Sequence, residues 1–296
     1  MSEPVKLDKR RIRRQFGRAA ARYDQVAALS QEIVARMLER LDLVRLAPQT
    51  ILDAGSGTGL LTRAVARRYP AARIVALDLS VPMLERFETG AAWRGKLRRL
   101  LRADRVQPLC GDFDALPLRA ASFDLVISNL ALHWSADLPQ AFAEFQRVLR
   151  PGGLLMFSTL GPDTLQELRR AQSAQTRPEQ QRRFIDMHDV GDMLVHAGFS
   201  DPVMDMEYLT LTYLSVQDLL TELRATGGLS GRAGERGLLT PRWRGRLEAR
   251  YEALRANGRL PATFEIVYGH AWKLDRPART TSDGHAIVQW DRAGKS

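Results

Sequence analysis

Leu52-Asp53-Ala54-Gly55-Ser56-Gly57-Thr58-Gly59 joins a short apolar strand, Thr50–Ala54, to a helical stretch at Leu60–Tyr69. A second strand, Arg73–Leu77, follows and closes on Asp78. The order strand, glycine loop, helix, strand reads as a βαβ unit. Glycines at such a turn let the backbone reverse tightly and let a ligand reach the main chain without Cβ atoms in the way. A bare βα turn without ligand would use the same residues, but Asp78 lies nineteen positions after Gly59. A carboxylate there can accept both hydroxyls of an adenosine ribose. The dinucleotide fingerprint places its third glycine where this chain has Leu60, and Asp53 would set a negative charge beside a pyrophosphate. The loop therefore suits a phosphate-free ligand with a positive centre. S-adenosylmethionine, with its adenosine, sulfonium and amino acid end, meets both conditions.

Outward from this unit, further strands read at Val106–Cys110, Phe123–Ser128, Leu154–Thr159, Val203–Tyr213 and Thr263–Leu274. The helix Leu138–Leu149 runs into Arg150-Pro-Gly-Gly153, a turn signal. Strands alternating with helices over residues 50–160 give an α/β, doubly wound, mostly parallel sheet. The last β-rich run is expected to return to the sheet edge. Before the sheet, Leu7–Tyr23 is basic and helical, and Gln25–Val44 carries Ile33, Val34, Met37, Leu38 and Leu41 at helical spacing. The expected organisation is an amino-terminal helical lid over residues 1–45 and a main domain over 46–274. Helical insertions are expected near 163–198 and 215–258, with a loosely held tail at 275–296. Arg94–Arg105 reads as a densely basic insertion and Ala225–Arg236 as a glycine-rich loop.

The 296 residues are enough for a full core, and an apolar share of 45% with 26% charged residues is ordinary for a folded protein. Forty-four Lys and Arg against 34 Asp and Glu leave a net charge of +10, which predicts an acidic partner. Cys110 is the single cysteine, so no intrachain disulfide or thiolate-rich zinc site can form. No apolar run has the length of a membrane span, and the first twenty residues lack the apolar core of a signal. These features point to the cytoplasm. His188, His196, His270 and His285 show no metal-ligand spacing, so no metal site is expected.

The set LDAGSGTG (52–59), ALDLS (76–80) with Asp78, Cys110-Gly-Asp112-Phe113 and Phe123-Asp-Leu-Val-Ile-Ser-Asn129 resembles the class I S-adenosylmethionine-dependent methyltransferases. The resemblance implies a seven-stranded sheet and S-adenosylmethionine as cofactor. It assigns cofactor contact to Asp53, Gly55, Gly57, Gly59, Asp78, Leu79, Asp112, Phe113 and Asn129. The acid at Asp112 would receive the adenine amino group, with Leu79 and Phe113 on either side of the ring.

Fold alone does not name a substrate. Phe16-Gly-Arg-Ala-Ala-Ala-Arg-Tyr23-Asp24, Ser128-Asn-Leu-Ala-Leu-His133-Trp134 and Phe157-Ser-Thr-Leu-Gly-Pro-Asp-Thr-Leu-Gln-Glu-Leu-Arg169 resemble the malonyl-carrier-protein methyltransferases of biotin synthesis. The likeness runs from about residue 8 to 274, with Arg94–Arg105 extra to a typical member. It implies methylation of the free carboxylate of malonyl-acyl-carrier protein, or of malonyl-CoA. Such a carboxylate is already ionised at neutral pH, so no general base is needed. The site must instead align one oxygen, exclude water and hold the other oxygen. By the same resemblance Arg169 is the candidate carboxylate clamp, and Tyr23 sits on the lid over the cofactor. His133 and Trp134 follow the fourth strand, at the sheet edge where ligands bind. An acidic carrier protein would be steered by Arg10, Arg11, Arg13, Arg14, Arg94, Lys96, Arg98, Arg99 and Arg102. Three alternatives stay open, one of them a non-catalytic cofactor-binding partner protein. Leu260-Pro-Ala-Thr-Phe-Glu-Ile-Val-Tyr268 and Ala271-Trp-Lys273 are also similar to an arginine-hydroxylating branch of respiratory-complex assembly proteins. An RNA or small-molecule methyltransferase would use the same cofactor loop. Against nucleic acid, Ser128-Asn-Leu-Ala131 replaces the N-P-P-Y type motif, and no RNA-binding module is attached.

Overall fold

A computed structural model describes residues 7–89, 105–172, 184–225 and 241–274. Seven strands form one sheet in the order β3-β2-β1-β4-β5-β7-β6. They are β1 (Thr50–Ala54), β2 (Arg73–Asp78), β3 (Val106–Cys110), β4 (Phe123–Asn129), β5 (Leu149–Leu160), β6 (Phe199–Tyr213) and β7 (Leu260–Lys273). The first five run parallel, and β7 lies antiparallel between β5 and β6. The order reverses between β1 and β4, so their carboxyl ends open a crevice of the kind that binds ligands in open α/β sheets.

The central strands are continuous apolar runs because both sheet faces are covered. Ile51, Leu52, Leu125, Val126, Leu154 and Leu155 are all fully buried. One layer buries Ile33, Val34, Met37 and Leu41 from α3 (Ala28–Asp42) against Ile51, Ile74 and Leu125. The opposite layer is filled by Phe142 and Phe145 from α6 (Leu138–Val148). That helix starts where the Asp137 carboxylate accepts the Gln140 N–H at 3.1 Å. At its other end the Lys273 ammonium donates to the carbonyls of Gln146 and Leu149, at 2.7 and 2.9 Å.

The remaining helices are α1 (Lys9–Ala19), the single turn α2 (Tyr23–Val26), α4 (Leu60–Arg68), α5 (Val81–Thr89), α7 (Gln166–Gln172), α8 (Met187–His196), α9 (Val216–Ala225) and α10 (Pro241–Glu252).

Several expectations are corrected. The basic Leu7–Tyr23 stretch is not one helix: α1 ends at Ala19, and α2 begins a separate turn at Tyr23. Arg150-Pro-Gly-Gly153 does not separate helix from strand. It lies inside β5 as a bulge, where pairing jumps from Phe123 and Leu149 to Leu125 and Leu154. Gly152 takes φ +75° there, a conformation glycine adopts freely. The strand Thr263–Leu274 starts earlier, at Leu260, and is internal; the edge belongs to β6. The sequence reading contains no helix at Val81–Thr89, where the structure places α5. Residues 94–104 and 226–236 of the two insertions, and the tail 275–296, lie outside the described residues.

Candidate functional site

The turn after β1 is held from below. The N–H groups of Gly55 and Ser56 donate to the Leu77 carbonyl at 2.8 and 2.9 Å, tying the loop to β2. At Gly55 (φ +83°) a Cβ would stand 2.3 Å from that of Ala131, so no side chain fits. At Gly57 (φ +56°) a Cβ would meet nothing within 4 Å, which leaves the main chain open to a ligand.

Asp78 sits beside this opening. Its Oδ2 accepts the Gly57 N–H at 2.9 Å and its Oδ1 the Ser80 N–H at 2.7 Å. Burial pushes its carboxyl above the usual range, opposed by those two N–H bonds. Asp53 lies deeper, 1% exposed. Its Oδ2 accepts from the Thr62 hydroxyl at 2.5 Å while Oδ1 has no hydrogen-bond partner. Burial drives this carboxyl up to about 7, against the Thr62 bond and aided by the charge of Asp78. A buried carboxylate oxygen without a donor, under an open glycine cradle, is suited to a cationic group of a ligand.

A cavity of about 1150 Å³, counted with its open mouth, lies over these strand ends. It brings together most of the residues singled out from sequence: Gly55, Gly57, Asp78, Leu79, Asp112, Phe113 and Asn129 at the inner end, and Tyr23, His133 and Trp134 further out. Three stand back from its wall. Asp53 is beneath the loop and Gly59 caps α4 at φ +85°. Arg169, on α7, donates instead to the Thr164 carbonyl and lies 4.0 Å from Asp163. Burial lowers its pKa. Thr164 itself lines the cavity, so Arg169 is one residue behind it.

The outer part is aromatic. Phe16 meets Trp134 edge-on at 5.2 Å and Tyr23 at 6.4 Å. His133 packs against Trp134 at 5.3 Å and Phe184 at 5.8 Å. Burial raises the Tyr23 phenol pKa, opposed by the neighbouring Ser30 side chain. Aromatic walls of this kind are suited to excluding water.

Residues not singled out complete the enclosure. Ser30 lies on α3, and its carbonyl accepts from Asn129 Nδ2 at 3.3 Å. The Asn129 amide is oriented by Ser158, whose hydroxyl donates to Oδ1 at 2.8 Å. The Thr58 hydroxyl reaches Asp24 at 2.5 Å, joining the glycine loop to α2. Lys9 bridges Asp112 and Asp114, at 2.7 Å each. The Gly161–Leu165 turn is pinned by Glu265, which accepts the Asp163 N–H at 2.6 Å; a Cβ on Gly161 would lie 2.3 Å from the Glu265 carboxyl carbon. Isolated polar contacts of this kind carry no sequence pattern. Asp24, Thr58, Ser158 and Glu265 do fall inside the motifs FGRAAARYD, LDAGSGTG, FSTLGPDTLQELR and LPATFEIVY, though no motif spells out these contacts; Ser30 and Lys9 lie in none.

The described residues therefore fit an adenosine-bearing, phosphate-free cation: an acid able to accept ribose hydroxyls, Leu79 and the Phe113 ring on the cavity wall, an open glycine main chain and a buried orphan carboxylate oxygen. The 52–157 segment matches the family model described as a methyltransferase domain. A malonyl-[acyl-carrier protein] O-methyltransferase of Gallionella capsiferriformans is 50% identical over 285 residues, 96% of each chain. One from a Methylovorus species is 52% identical over 268 residues, 90% of each chain. Among solved structures, the YcgJ protein from Bacillus subtilis has a TM-score of 0.55 at 16% identity, covering 81% of this chain and 98% of its own. The [4+2]-cyclase SpnF has a TM-score of 0.52 at 19% identity, covering 82% of each chain. At such identities these structures show the fold alone; a cyclase among them illustrates that the architecture does not fix the reaction.

Proposed function

The chain belongs to the malonyl-[acyl-carrier protein] O-methyltransferase family, and from that premise we propose how its cavity serves the reaction. The enzyme is an S-adenosylmethionine-dependent O-methyltransferase that converts the free carboxylate of malonyl-acyl-carrier protein to its methyl ester, an early step of biotin synthesis. Arginine hydroxylation and RNA methylation are not favoured by relatives of this name matching nearly the whole chain.

When bound, S-adenosylmethionine supplies an electrophilic methyl group on a positively charged sulfur. Asp78 would accept the ribose hydroxyls, Leu79 and Phe113 would flank the adenine, and Asp112 would accept its amino group. Gly55, Gly57 and Gly59 shape the loop, Asp53 beneath it supplies negative charge toward the cationic amino acid end, and Asn129 closes the inner wall. Helices α1 to α3 act as a lid. Tyr23, Phe16 and Trp134 keep water from the methyl group, which matters because alignment without competing solvent is worth on the order of 7–11 kcal/mol. His133 faces the acceptor side.

Arg169 is the proposed partner of the acceptor carboxylate. To reach it, the guanidinium exchanges its bond to the Thr164 carbonyl for one to the oxygen that does not attack. A guanidinium can hold one carboxylate oxygen through directed N–H bonds. No side chain removes a proton, since the acceptor is already ionised.

We take the acyl carrier to be an acidic protein, steered by Arg10, Arg13 and Arg14, which are exposed on α1, together with Arg11. Among the described residues no helix is long and apolar enough to cross a membrane. We place the enzyme in the cytoplasm, with Cys110 an exposed free thiol.

The observation that carries this reading is the cavity itself, which is lined by the acid-and-glycine cofactor residues together with the aromatic side chains Phe16, Tyr23, His133 and Trp134. Labelled methyl donor incubated with malonyl-carrier, acetyl-carrier and RNA tests it. A base-labile methyl ester on the malonyl group alone is expected. Transfer to RNA, or none from folded protein that binds the cofactor, would overturn the assignment.

A further inference from the structure

Lys9, the first residue of α1, is a lid residue whose charge is spent at the cofactor end of the cavity. Its ammonium lies 2.7 Å from Asp112 Oδ1 and 2.7 Å from Asp114 Oδ2, and 5.1 Å from the centre of the Phe113 ring. Its side chain is 23% exposed and that of Asp114 12%. Asp114 is fixed independently, accepting from the Ser135 hydroxyl at 2.7 Å and the Ala136 N–H at 2.8 Å. Asp112 has less support: Oδ1 accepts the Asp114 N–H at 3.0 Å, and the carboxylate is 31% exposed. One cation therefore bridges an anchored acid and a loosely held one. Without it the two carboxylates repel each other and Asp112 is free to turn outward.

We propose that Lys9 is an adenine-specificity residue contributed by the lid: its bridge to Asp114 fixes Asp112 so that Oδ2 faces the adenine amino group. Oδ1 is occupied by Lys9 and the Asp114 N–H, and among the described residues no hydrogen bond is made by Oδ2. The ammonium over Phe113 also holds the ring that covers the adenine face. The same contact joins α1 to the cofactor site, so docking of this helix and recognition of adenine become one coupled equilibrium. A second polar tie, Asp24 on Thr58 of the glycine loop, works in the same direction. The inference rests on the assignment of Asp112 to the adenine edge, and the test separates the two.

The test is calorimetric binding of S-adenosylhomocysteine and of S-inosylhomocysteine, in which a carbonyl oxygen replaces the adenine amine. The wild-type protein is expected to prefer the adenine ligand by about tenfold or more, the worth of a hydrogen bond to a charged group. In Lys9→Met that preference narrows at least about threefold, and in Lys9→Arg, which keeps the charge, most of it returns. Hydrogen exchange across residues 9–19 should slow with S-adenosylhomocysteine in the wild type and change less in Lys9→Met. A Lys9→Met protein that loses affinity for both ligands equally, or for neither, overturns the proposal; circular dichroism confirms that the variants are folded. Asp112→Ala is the separating control. If it retains the adenine preference, the assignment of Asp112 fails and takes the role of Lys9 with it. If it loses the preference while Lys9→Met keeps it, only the role of Lys9 fails.

Discussion

Acidifying the solution should weaken the binding of S-adenosylhomocysteine about tenfold between about pH 8 and pH 6 through Asp53. The carboxyl is 1% exposed, its Oδ1 lacks a donor, and burial raises it to about 7. Against its ordinary value of 3.8, that displacement corresponds to on the order of 4 kcal/mol against the charged form. The ligand brings a cationic amino group, which favours the charged form in return. In the free protein Asp53 would be about nine-tenths ionised at pH 8, half at pH 7 and one-tenth at pH 6. Binding at about pH 6 must therefore release close to one proton, and affinity falls by that factor. The sign for stability is the reverse of a salt-bridged acid. Because the folded value lies above the unfolded one, the contribution of this group is full below about pH 4 and is lost as pH rises through about 7. Ligand-free Asp53→Asn protein should thus gain most over wild type at alkaline pH. Titration calorimetry in two buffers of different ionisation enthalpy reads the proton count directly. Affinity that is flat across this range, with no buffer dependence, would refute the reasoning, as would the same pH dependence in Asp53→Asn.

Asp78→Ala should cost about 1.5–3 kcal/mol of S-adenosylhomocysteine binding, the worth of a charged hydrogen-bond partner, and calorimetry checks it; a loss below about 0.5 kcal/mol would move the ribose elsewhere. Arg169→Ala should leave that binding within about twofold while lowering methyl transfer to malonyl-carrier protein by at least about tenfold. Unchanged turnover removes Arg169 from the acceptor site. Phe145→Ala, at a fully buried position in the layer under α6, should destabilise the fold by about 3–5 kcal/mol in urea unfolding, because the emptied volume cannot fully collapse. A loss under about 1 kcal/mol would mean that this layer repacks.

The central unit was legible because its physics is local. An apolar strand, a glycine-rich turn that favours left-handed backbone at Gly55 and Gly57, and an acid ending the next strand can be read in that order from local sequence alone. Asp78 could be placed at the carboxyl edge from the strand pattern alone, whereas Asp112 is assigned through the family resemblance. The bulge at Arg150-Pro-Gly-Gly153 was not legible. Proline and glycine there signal a turn in isolation, and only pairing of Leu149 with Phe123 makes the segment part of a strand. The inner position of β7 depends likewise on long-range pairing with both β5 and β6. Lys9 has no distinguishing sequence signal for a different reason. In sequence it is one more cation in KRRIRR, and only the path of α1 turns it inward while Arg10, Arg13 and Arg14 face solvent. Arg169 shows the opposite limit. Its motif placed it on the correct helix, but a one-residue step behind Thr164 is set by the Glu265-pinned turn, which no spacing rule describes.

The most direct trial is a crystal structure of the protein grown with S-adenosylhomocysteine. It should show the ribose hydroxyls on Asp78, the adenine between Leu79 and Phe113 with its amine toward Asp112, and the thioether pointing at Tyr23 under the amino-terminal helices. Density for the nucleoside anywhere else, or an Asp78 carboxylate still turned wholly to the main chain beside a bound ligand, would contradict the account.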